Sequence, residues 1–310
     1  MVDLIRPDYL CEGDHIAVIA PAFRADAGLL DNSLSVLKRW GLVPELGRSV
    51  RCFTSAAADG VSEYSGSDRE RADDLVWALG SDEFKAVLCV RGGYGSLHLL
   101  DLLPDGIFGR NPKWLIGFSD ITTLHAASVA EGVMSIHGNM CVNIGRTGGL
   151  DDSSLALRDM LFGRAPGYDI QSRPFSVPGV AEGILVGGNL ITLSALLGTK
   201  TDFLRHRDAI LFVEEVGESY HAIDRLVNVL LRSSGFENVR GLVFGEFTDC
   251  MRDLPYDSVE EMIYPYVKDL GIPVCFGFPA GHGAVNRPFV EGAEVSLSVG
   301  SDGNSEIRFL

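Results

Sequence analysis

The chain has 310 residues, of which 46% are hydrophobic and 22% charged, and its formal net charge is −16. This length suits one large or two medium domains of ordinary globular composition. The acidic excess argues against a nucleic-acid partner and against binding to anionic membranes, because no basic cluster could neutralise phosphates. The sequence shows neither a signal peptide nor an apolar run approaching the roughly 18 residues of a spanning helix, so a cytoplasmic protein is expected.

The first half of the chain alternates short apolar runs with helical patterns. The predicted elements are strands at residues 15–21, 86–90 and 114–118 and helices at residues 28–40 and 68–79. Strands separated by helices indicate a mostly parallel sheet with helices on both faces, whose ligands bind at the carboxyl ends of the strands. We therefore predict an N-terminal α/β domain over residues 1–163.

The second half of the chain differs from the first in composition and in hydrophobic periodicity. Residues 164–183 are rich in proline, glycine and serine and lack periodicity, which predicts an inter-domain linker. Short β-rich runs follow, with helical patterns at residues 219–232 and 258–270. The sequence thus predicts a smaller, β-rich α+β domain over residues 184–310.

A serine follows the third predicted strand directly. The run ends in Gly117-Phe118-Ser119-Asp120, and a helix-compatible segment begins at once. A serine at a sharp strand-to-helix turn projects from the sheet edge, where amides of the helix start can face a developing oxyanion. A serine before a helix is also a common N-cap, so this stretch alone leaves both interpretations of Ser119 open.

A glycine-rich turn, Arg91-Gly92-Gly93-Tyr94-Gly95, follows the second predicted strand. Glycines permit tight turns and the close approach of a ligand to bare backbone amides. The spacing fits neither a dinucleotide-binding fingerprint nor a P-loop, so a nest for an oxyanion or carboxylate is favoured over a phosphate cradle. A turn with no chemical role is the alternative.

Two carboxylates and a histidine also follow predicted strands. Glu214 and Glu215 end the run at residues 209–213, and consecutive strand residues point to opposite sides, so one is expected to face a cleft. His282 lies between glycines in a later loop, which predicts an exposed, adjustable imidazole. No metal site is predicted, because the sequence lacks C-x-x-C, H-x-x-x-H and H-E-x-x-H spacings.

Several of these segments, taken in chain order, resemble a known family. The matching segments are Ile19-Ala20-Pro21, Ser67-Asp68-Arg69-Glu70-Arg71, and residues 90–95, 111–113, 116–123, 186–190, 211–217, 223–225 and 279–283. Together they resemble the LD-carboxypeptidase family of serine peptidases, which includes muramoyltetrapeptide carboxypeptidases and microcin immunity peptidases. The resemblance covers nearly the whole chain.

The resemblance implies a catalytic triad in the chain order Ser-Glu-His. Ser119 matches the family's nucleophile, Glu214 its carboxylate and His282 its base. The backbone N–H groups of Gly93 and Asp120 match its oxyanion donors. We further expect that a side chain at Gly93 would occupy the substrate's place.

The same resemblance implies a function. It points to a cytoplasmic, homodimeric hydrolase that removes the terminal D-alanine from murein tetrapeptides in cell-wall recycling, without a cofactor or metal. Arg91 is the candidate partner for the free carboxylate of the peptide, with a structural ion pair as the alternative. Two other functions stay open: a microcin-immunity-type peptidase that cleaves a peptide–nucleotide amide, and a catalytically silent binding module on the same fold.

Overall fold

The structure is a computed structural model that describes residues 4–51, 63–164, 167–205 and 208–310. It divides into two compact units. Unit 1 comprises Met1–Ala165 and Arg287–Val290, and unit 2 comprises Pro166–Asn286 and Glu291–Leu310. A sheet with helices lies in the N-terminal half and a second, β-rich sheet in the C-terminal half, which confirms the predicted α/β class.

The first sheet is mostly parallel. Its strands are β1 (His15–Ile19), β2 (Val43–Leu46), β3 (Phe84–Cys89), β4 (Trp114–Gly117), β5 (Ser135–His137) and β11 (Phe289–Glu291). Within the described ranges they lie in the order β11-β5-β4-β3-β1-β2, and every pairing from β5 to β2 is parallel. Residues 16–19 of β1 are fully buried, as expected for a parallel strand covered on both faces.

Helices alternate with these strands. They are α1 (Ala27–Arg39), α2 (Asp68–Gly80), α3 (Ile107–Arg110), α4 (Thr122–Ala130), α5 (Cys141–Thr147) and α6 (Asp152–Leu161). A capping box begins α2: the Glu70 N–H donates to Ser67 Oγ (3.3 Å), and the Ser67 N–H donates to Glu70 Oε2 (2.8 Å). The helices predicted at residues 28–40 and 68–79 correspond to α1 and α2 and are confirmed.

The order of the first sheet determines which loops meet. The chain passes from β1 to β2 on one side of β1 and then to β3 and β4 on its other side. The direction in which successive strands are added to the sheet therefore reverses between β1 and β3. Ligands of such sheets bind outside the carboxyl ends of the strands, close to this reversal. The segments that follow β1, β3 and β4 therefore share one edge of the sheet.

The second sheet combines parallel and antiparallel pairings. Its strands are β6 (Tyr168–Gln171), β7 (Gly179–Asn189), β8 (Ala209–Val216), β9 (Val239–Thr248), β10 (Val274–Phe276), β12 (Glu294–Val299) and β13 (Asn304–Phe309). In the part of the chain that the structure describes, their order is β10-β9-β8-β7-β12-β13-β6. The pairings from β10 to β7 are parallel and those from β7 to β6 antiparallel. The carboxyl ends of β7 to β10 consequently lie at one edge.

Three helices accompany the second sheet among the described residues. They are α7 (Leu190–Leu196), α8 (Tyr220–Arg232) and α9 (Val259–Val267). The two helices predicted from the sequence of this half correspond to α8 and α9, each slightly shorter than predicted. Across the described parts of both units, no helix combines the length and apolar character that crossing a bilayer requires.

The segment predicted as a linker, residues 164–183, instead supplies strands. It contains β6 and the beginning of β7, while residues 165–166 lie outside the described residues. Buried and exposed residues alternate along β6, but the strand is only four residues long. So short an alternation is obscured in the sequence by the surrounding prolines and glycines.

The packing of α5 against α1 depends on Gly145. A Cβ added there would lie 2.0 Å from the carbonyl oxygen of Leu29 in α1. Because a backbone oxygen cannot rotate away, we expect Gly145→Ala to lower the free energy of unfolding by about 1–3 kcal/mol, measured by urea denaturation. The control is Gly80→Ala at the end of α2, where an added Cβ meets nothing within 4 Å. Equal losses in both variants would contradict this account.

Candidate active site

Ser119 lies at a sharp turn between β4 and α4. Its φ is 66°, a left-handed conformation that is uncommon for a residue other than glycine. A serine that caps a helix has an extended backbone instead, so the N-cap interpretation does not fit this residue. A strained turn of this kind is typical of a nucleophilic serine, whose hydroxyl it exposes at the end of a strand, and Ser119 is partly exposed.

The glycine turn after β3 packs directly against Ser119. A Cβ added to Gly92 would lie 3.1 Å from Ser119 Cβ and 3.2 Å from its Oγ, so glycine leaves room for the hydroxyl. Gly93 has a φ of 111°, and its added Cβ would lie 2.3 Å from the ring of Phe23. The expectation for Gly93 is therefore wrong: its side chain would collide with Phe23, which follows the neighbouring strand β1, rather than fill the substrate's place.

A buried histidine on α4 supports the strand that carries Ser119. His125 Nε2 lies 2.9 Å from the carbonyl oxygen of Gly117, and Nδ1 lies 2.8 Å from Ser135 Oγ. Burial lowers the pKa of His125 to about 4, so the ring is neutral at ordinary pH. It then donates from Nε2 and accepts at Nδ1. In the sequence, His125 is only one residue of a helical segment, and nothing there indicates that it supports the end of β4.

Glu214 and His282 form a hydrogen-bonded pair in unit 2. The Glu214 side chain is 0% exposed at the end of β8, and its Oε2 lies 2.7 Å from His282 Nδ1. A Cβ added to Gly281 would lie 3.0 Å from the same oxygen, so a glycine allows the loop to reach the carboxylate. The triad carboxylate and base inferred from the sequence are thus brought together.

The pKa of His282 reflects two opposing effects. The His282 side chain is only 19% exposed, so the prediction of an exposed imidazole is wrong. Its burial favours the neutral form, but the hydrogen bond to Glu214 and the charges of Glu214 and Glu215 favour the protonated form. The net result is a pKa raised above the ordinary value. The pair therefore stabilises an imidazolium, the form that a histidine adopts after it has taken a proton.

The loop that carries His282 is held at the sheet edge by hydrogen bonds. The Glu246 N–H at the end of β9 donates to the carbonyl oxygen of Ala280 (2.9 Å). The Gly281 N–H donates to Asn286 Oδ1 (3.0 Å), and Asn286 is buried. Asn286 therefore positions the loop, although in the sequence it is a single polar residue that follows Gly283-Ala284-Val285 and gives no sign of this role.

Glu215 has a role of its own. It is buried, and its Oε1 accepts from Asn189 Nδ2 and from the Val216 N–H, both at 2.8 Å. Its Oε2 accepts from the Ile191 N–H in α7, also at 2.8 Å. Burial raises the pKa of Glu215, although these hydrogen bonds oppose the effect. This carboxyl group ties β8 to the beginning of α7.

Arg91 is exposed beside the glycine turn. Its Nη1 lies 3.4 Å from the carbonyl oxygen of Arg24, and its guanidinium carbon lies 5.8 Å from the ring centroid of Phe23. Arg91 is thus an exposed cation whose N–H groups can bind a negatively charged group.

One group of described residues has the composition of a metal site. Ligand atoms of His15, Glu45 and Glu83 lie within 4.8 Å of one another, and His15 Nδ1 lies 2.5 Å from Glu45 Oε1. His15 begins β1 and Glu83 directly precedes β3, at the amino ends of these strands. Ser119 follows the carboxyl end of β4, so this group is not part of the candidate active site.

Comparison with known proteins identifies the family. Residues 16–138 match the model of the LD-carboxypeptidase N-terminal domain, and residues 182–297 match that of the C-terminal domain. The murein tetrapeptide carboxypeptidase of Pseudomonas aeruginosa is 32% identical over 293 residues, which are 91% of this chain and 92% of that protein.

Solved structures share the fold. The muramoyltetrapeptide carboxypeptidase from Oxalobacter formigenes has a TM-score of 0.81 at 25% identity, with 95% of this chain and 98% of the other covered. The microcin C7 self-immunity protein has a TM-score of 0.84 at 20% identity, with 99% and 98% covered, a likeness that concerns the fold alone. Since the two domain models match most of the sequence, the chain belongs to the LD-carboxypeptidase family and is a serine-type carboxypeptidase, a hydrolase.

Proposed function

We propose that this protein removes the terminal D-alanine from murein tetrapeptides by cleaving the L,D-peptide bond before it, in cell-wall recycling. The observation that carries the proposal is the 2.7 Å hydrogen bond between His282 and the buried Glu214. The left-handed backbone of Ser119 and the murein-peptide relatives support it.

In the proposed reaction, Ser119 is the nucleophile and His282 the general base. Because Nδ1 of His282 is held by Glu214, Nε2 takes the proton of the serine hydroxyl and later returns it to the departing D-amino acid. Glu214 fixes the tautomer and stabilises the imidazolium. The N–H groups of Gly93 and Asp120 donate to the oxyanion that forms at the attacked carbonyl.

The proposal also covers the surroundings of the reaction. Arg91 binds the free carboxylate of the peptide, and the enzyme acts in the cytoplasm as a homodimer. A net charge of −16 supports the absence of nucleic-acid and membrane partners. The alternative substrate, a peptide–nucleotide amide, is supported only by a likeness of fold to the microcin C7 self-immunity protein.

The first test removes the nucleophile. Ser119→Ala should lower turnover of murein tetrapeptide by on the order of 10⁴- to 10⁶-fold, because it deletes the attacking oxygen. Chromatography of the digests measures turnover, and circular dichroism checks the fold. A fluorophosphonate probe should label the wild-type protein but not the variant, whereas a silent binding module would stay unlabelled. A variant that retained a tenth of wild-type turnover would overturn the assignment.

The second test separates the adjacent carboxylates. Glu214→Gln should lower kcat by on the order of 10²- to 10⁴-fold, because an amide cannot stabilise His282 as a cation. Glu215→Gln is the matched control: it alters hydrogen bonds to Asn189 and α7, so it should lower thermal stability and change kcat less than about tenfold. If Glu215→Gln reduced kcat more in a folded protein, the triad carboxylate would have to be reassigned.

The third test concerns pH. A general base must be neutral, so kcat/KM should fall as pH drops through the pKa of His282, which lies above its ordinary value of about 6.5. Glu214→Gln removes the neighbouring charge, so burial then dominates and the acid limb should move to lower pH. Measuring kcat/KM of both proteins from about pH 5 to 9 checks whether the acid limb of Glu214→Gln lies at the lower pH. An acid limb at the same pH in both proteins would show that another group controls it.

A further inference from the structure

The glycine turn and the turn that bears Ser119 are joined by buried hydrogen bonds, two of which come from Ser96. The Ser96 N–H donates to Asp120 Oδ2 (2.9 Å), and Ser96 Oγ donates to the carbonyl oxygen of Asp120 (2.6 Å). Ser96 is fully buried and Asp120 is nearly so. The two residues therefore bond through both backbone and side chain, within unit 1.

These bonds connect the two proposed oxyanion donors. Asp120 supplies one donor through its own N–H, and Ser96 stands three residues after Gly93, which supplies the other. The donors come from loops after different strands, β3 and β4, and the first loop contains glycines at φ 111° and 120°. Glycine gives such a loop wide conformational freedom, so the distance between the donors needs a separate constraint.

A buried arginine restrains the same turn from its other flank. Arg71 on α2 is fully buried; its Nη1 donates to the carbonyl oxygens of Gly95 (3.0 Å) and of Pro21, and its Nη2 pairs with Asp68. A Cβ at Gly95 would lie 2.9 Å from Arg71 Nη1, so the turn and the guanidinium are in close contact. The turn is thus held against both α2 and Asp120.

A buried carboxylate is a costly way to hold a loop. Burial raises the pKa of Asp120, and the hydrogen bonds from Ser96 and the charge of Arg71 oppose that rise. Packing alone could fill this space with an apolar residue at lower cost. A buried carboxyl acceptor beside Ser119 is better explained by a need for precise geometry than by stability.

We infer that Ser96 and the side chain of Asp120 act as a clasp that fixes the separation of the Gly93 and Asp120 amides. They are positioning residues for the reaction under the proposed function, on which this inference rests. Preorganised donors must lie about 2.7–3.1 Å from the oxyanion, and loss of one donor costs about 10²- to 10³-fold in kcat. A donor that is held less firmly should lower kcat by a smaller factor than the loss of the whole donor.

The test compares two buried serines. Ser96→Ala removes the bond to the Asp120 carbonyl, and kcat should fall about 10- to 100-fold while KM changes less than about threefold. The matched control is Ser128→Ala: Ser128 is fully buried in α4, and its Oγ donates to the carbonyl oxygen of Val133 (3.0 Å). Both variants lose one serine-to-carbonyl bond and should lose similar stability, but Ser128→Ala should keep wild-type kcat.

Two substitutions at Asp120 test whether kcat depends on an oxygen that can accept the hydrogen bond from Ser96. Asp120→Asn retains an oxygen that can accept from the Ser96 N–H, whereas Asp120→Ala retains none. We expect kcat to be higher in Asp120→Asn than in Asp120→Ala at equal folded fraction, checked by near-ultraviolet circular dichroism.

The rate at which a fluorophosphonate labels Ser119 separates this inference from the substrate assignment, because phosphonylation also develops an oxyanion. If the wild type is labelled but does not cleave murein tetrapeptide, the substrate is wrong and the clasp is still tested by labelling, which should slow about 10- to 100-fold in Ser96→Ala. Equal labelling and turnover in Ser96→Ala and Ser128→Ala would overturn the clasp. A wild-type protein that is neither labelled nor active would overturn the proposed function and the clasp together.

Discussion

The parallel direction of β1, β3 and β4 is the constraint on which unit 1 depends. Strands that run the same way send their following loops to one edge, so Gly93 lies against Phe23 and Gly92 lies against Ser119. The left-handed backbone of Ser119 costs about 1–3 kcal/mol and persists only where its surroundings fix it. Gly92 packs against the serine, and His125 holds the carbonyl group of Gly117 two residues before it.

Unit 2 uses adjacent carboxylates on one strand for different tasks. Both Glu214 and Glu215 are buried, yet Oε2 of Glu214 bonds the imidazole of His282, while Glu215 bonds two backbone amides and the Asn189 side chain. The carboxyl group of Glu215 serves to hold the fold through these hydrogen bonds. Its negative charge also adds to the electrostatic field that favours the protonated form of His282. The same strand end thus anchors α7 and supports the histidine.

Much of the fold can be predicted from the sequence because its signals are local. The helices α1 and α2 carry long apolar periodicity, and α2 also carries a capping box that begins at Ser67. In the sequence, the strands β1, β3 and β4 are recognisable as apolar runs that end near a glycine or proline. In contrast, β6 is a four-residue strand with a weak alternation, so its place in the second sheet depends on pairing with the distant β13.

For the site, the sequence by itself determined the family and the residue types at the ends of strands, because motifs such as Gly-Phe-Ser-Asp are contiguous. The resemblance already pointed to Glu214 as the partner of His282. Only the tertiary structure showed that Ser119 has a left-handed backbone, that Gly93 faces Phe23, and that Glu215 is bonded to Asn189 and α7. The bonds from Arg71 to Gly95 and from Ser96 to Asp120 were equally invisible, since the partners in each pair lie 24 residues apart in sequence. Such contacts follow from strand order and register, which a local pattern does not encode.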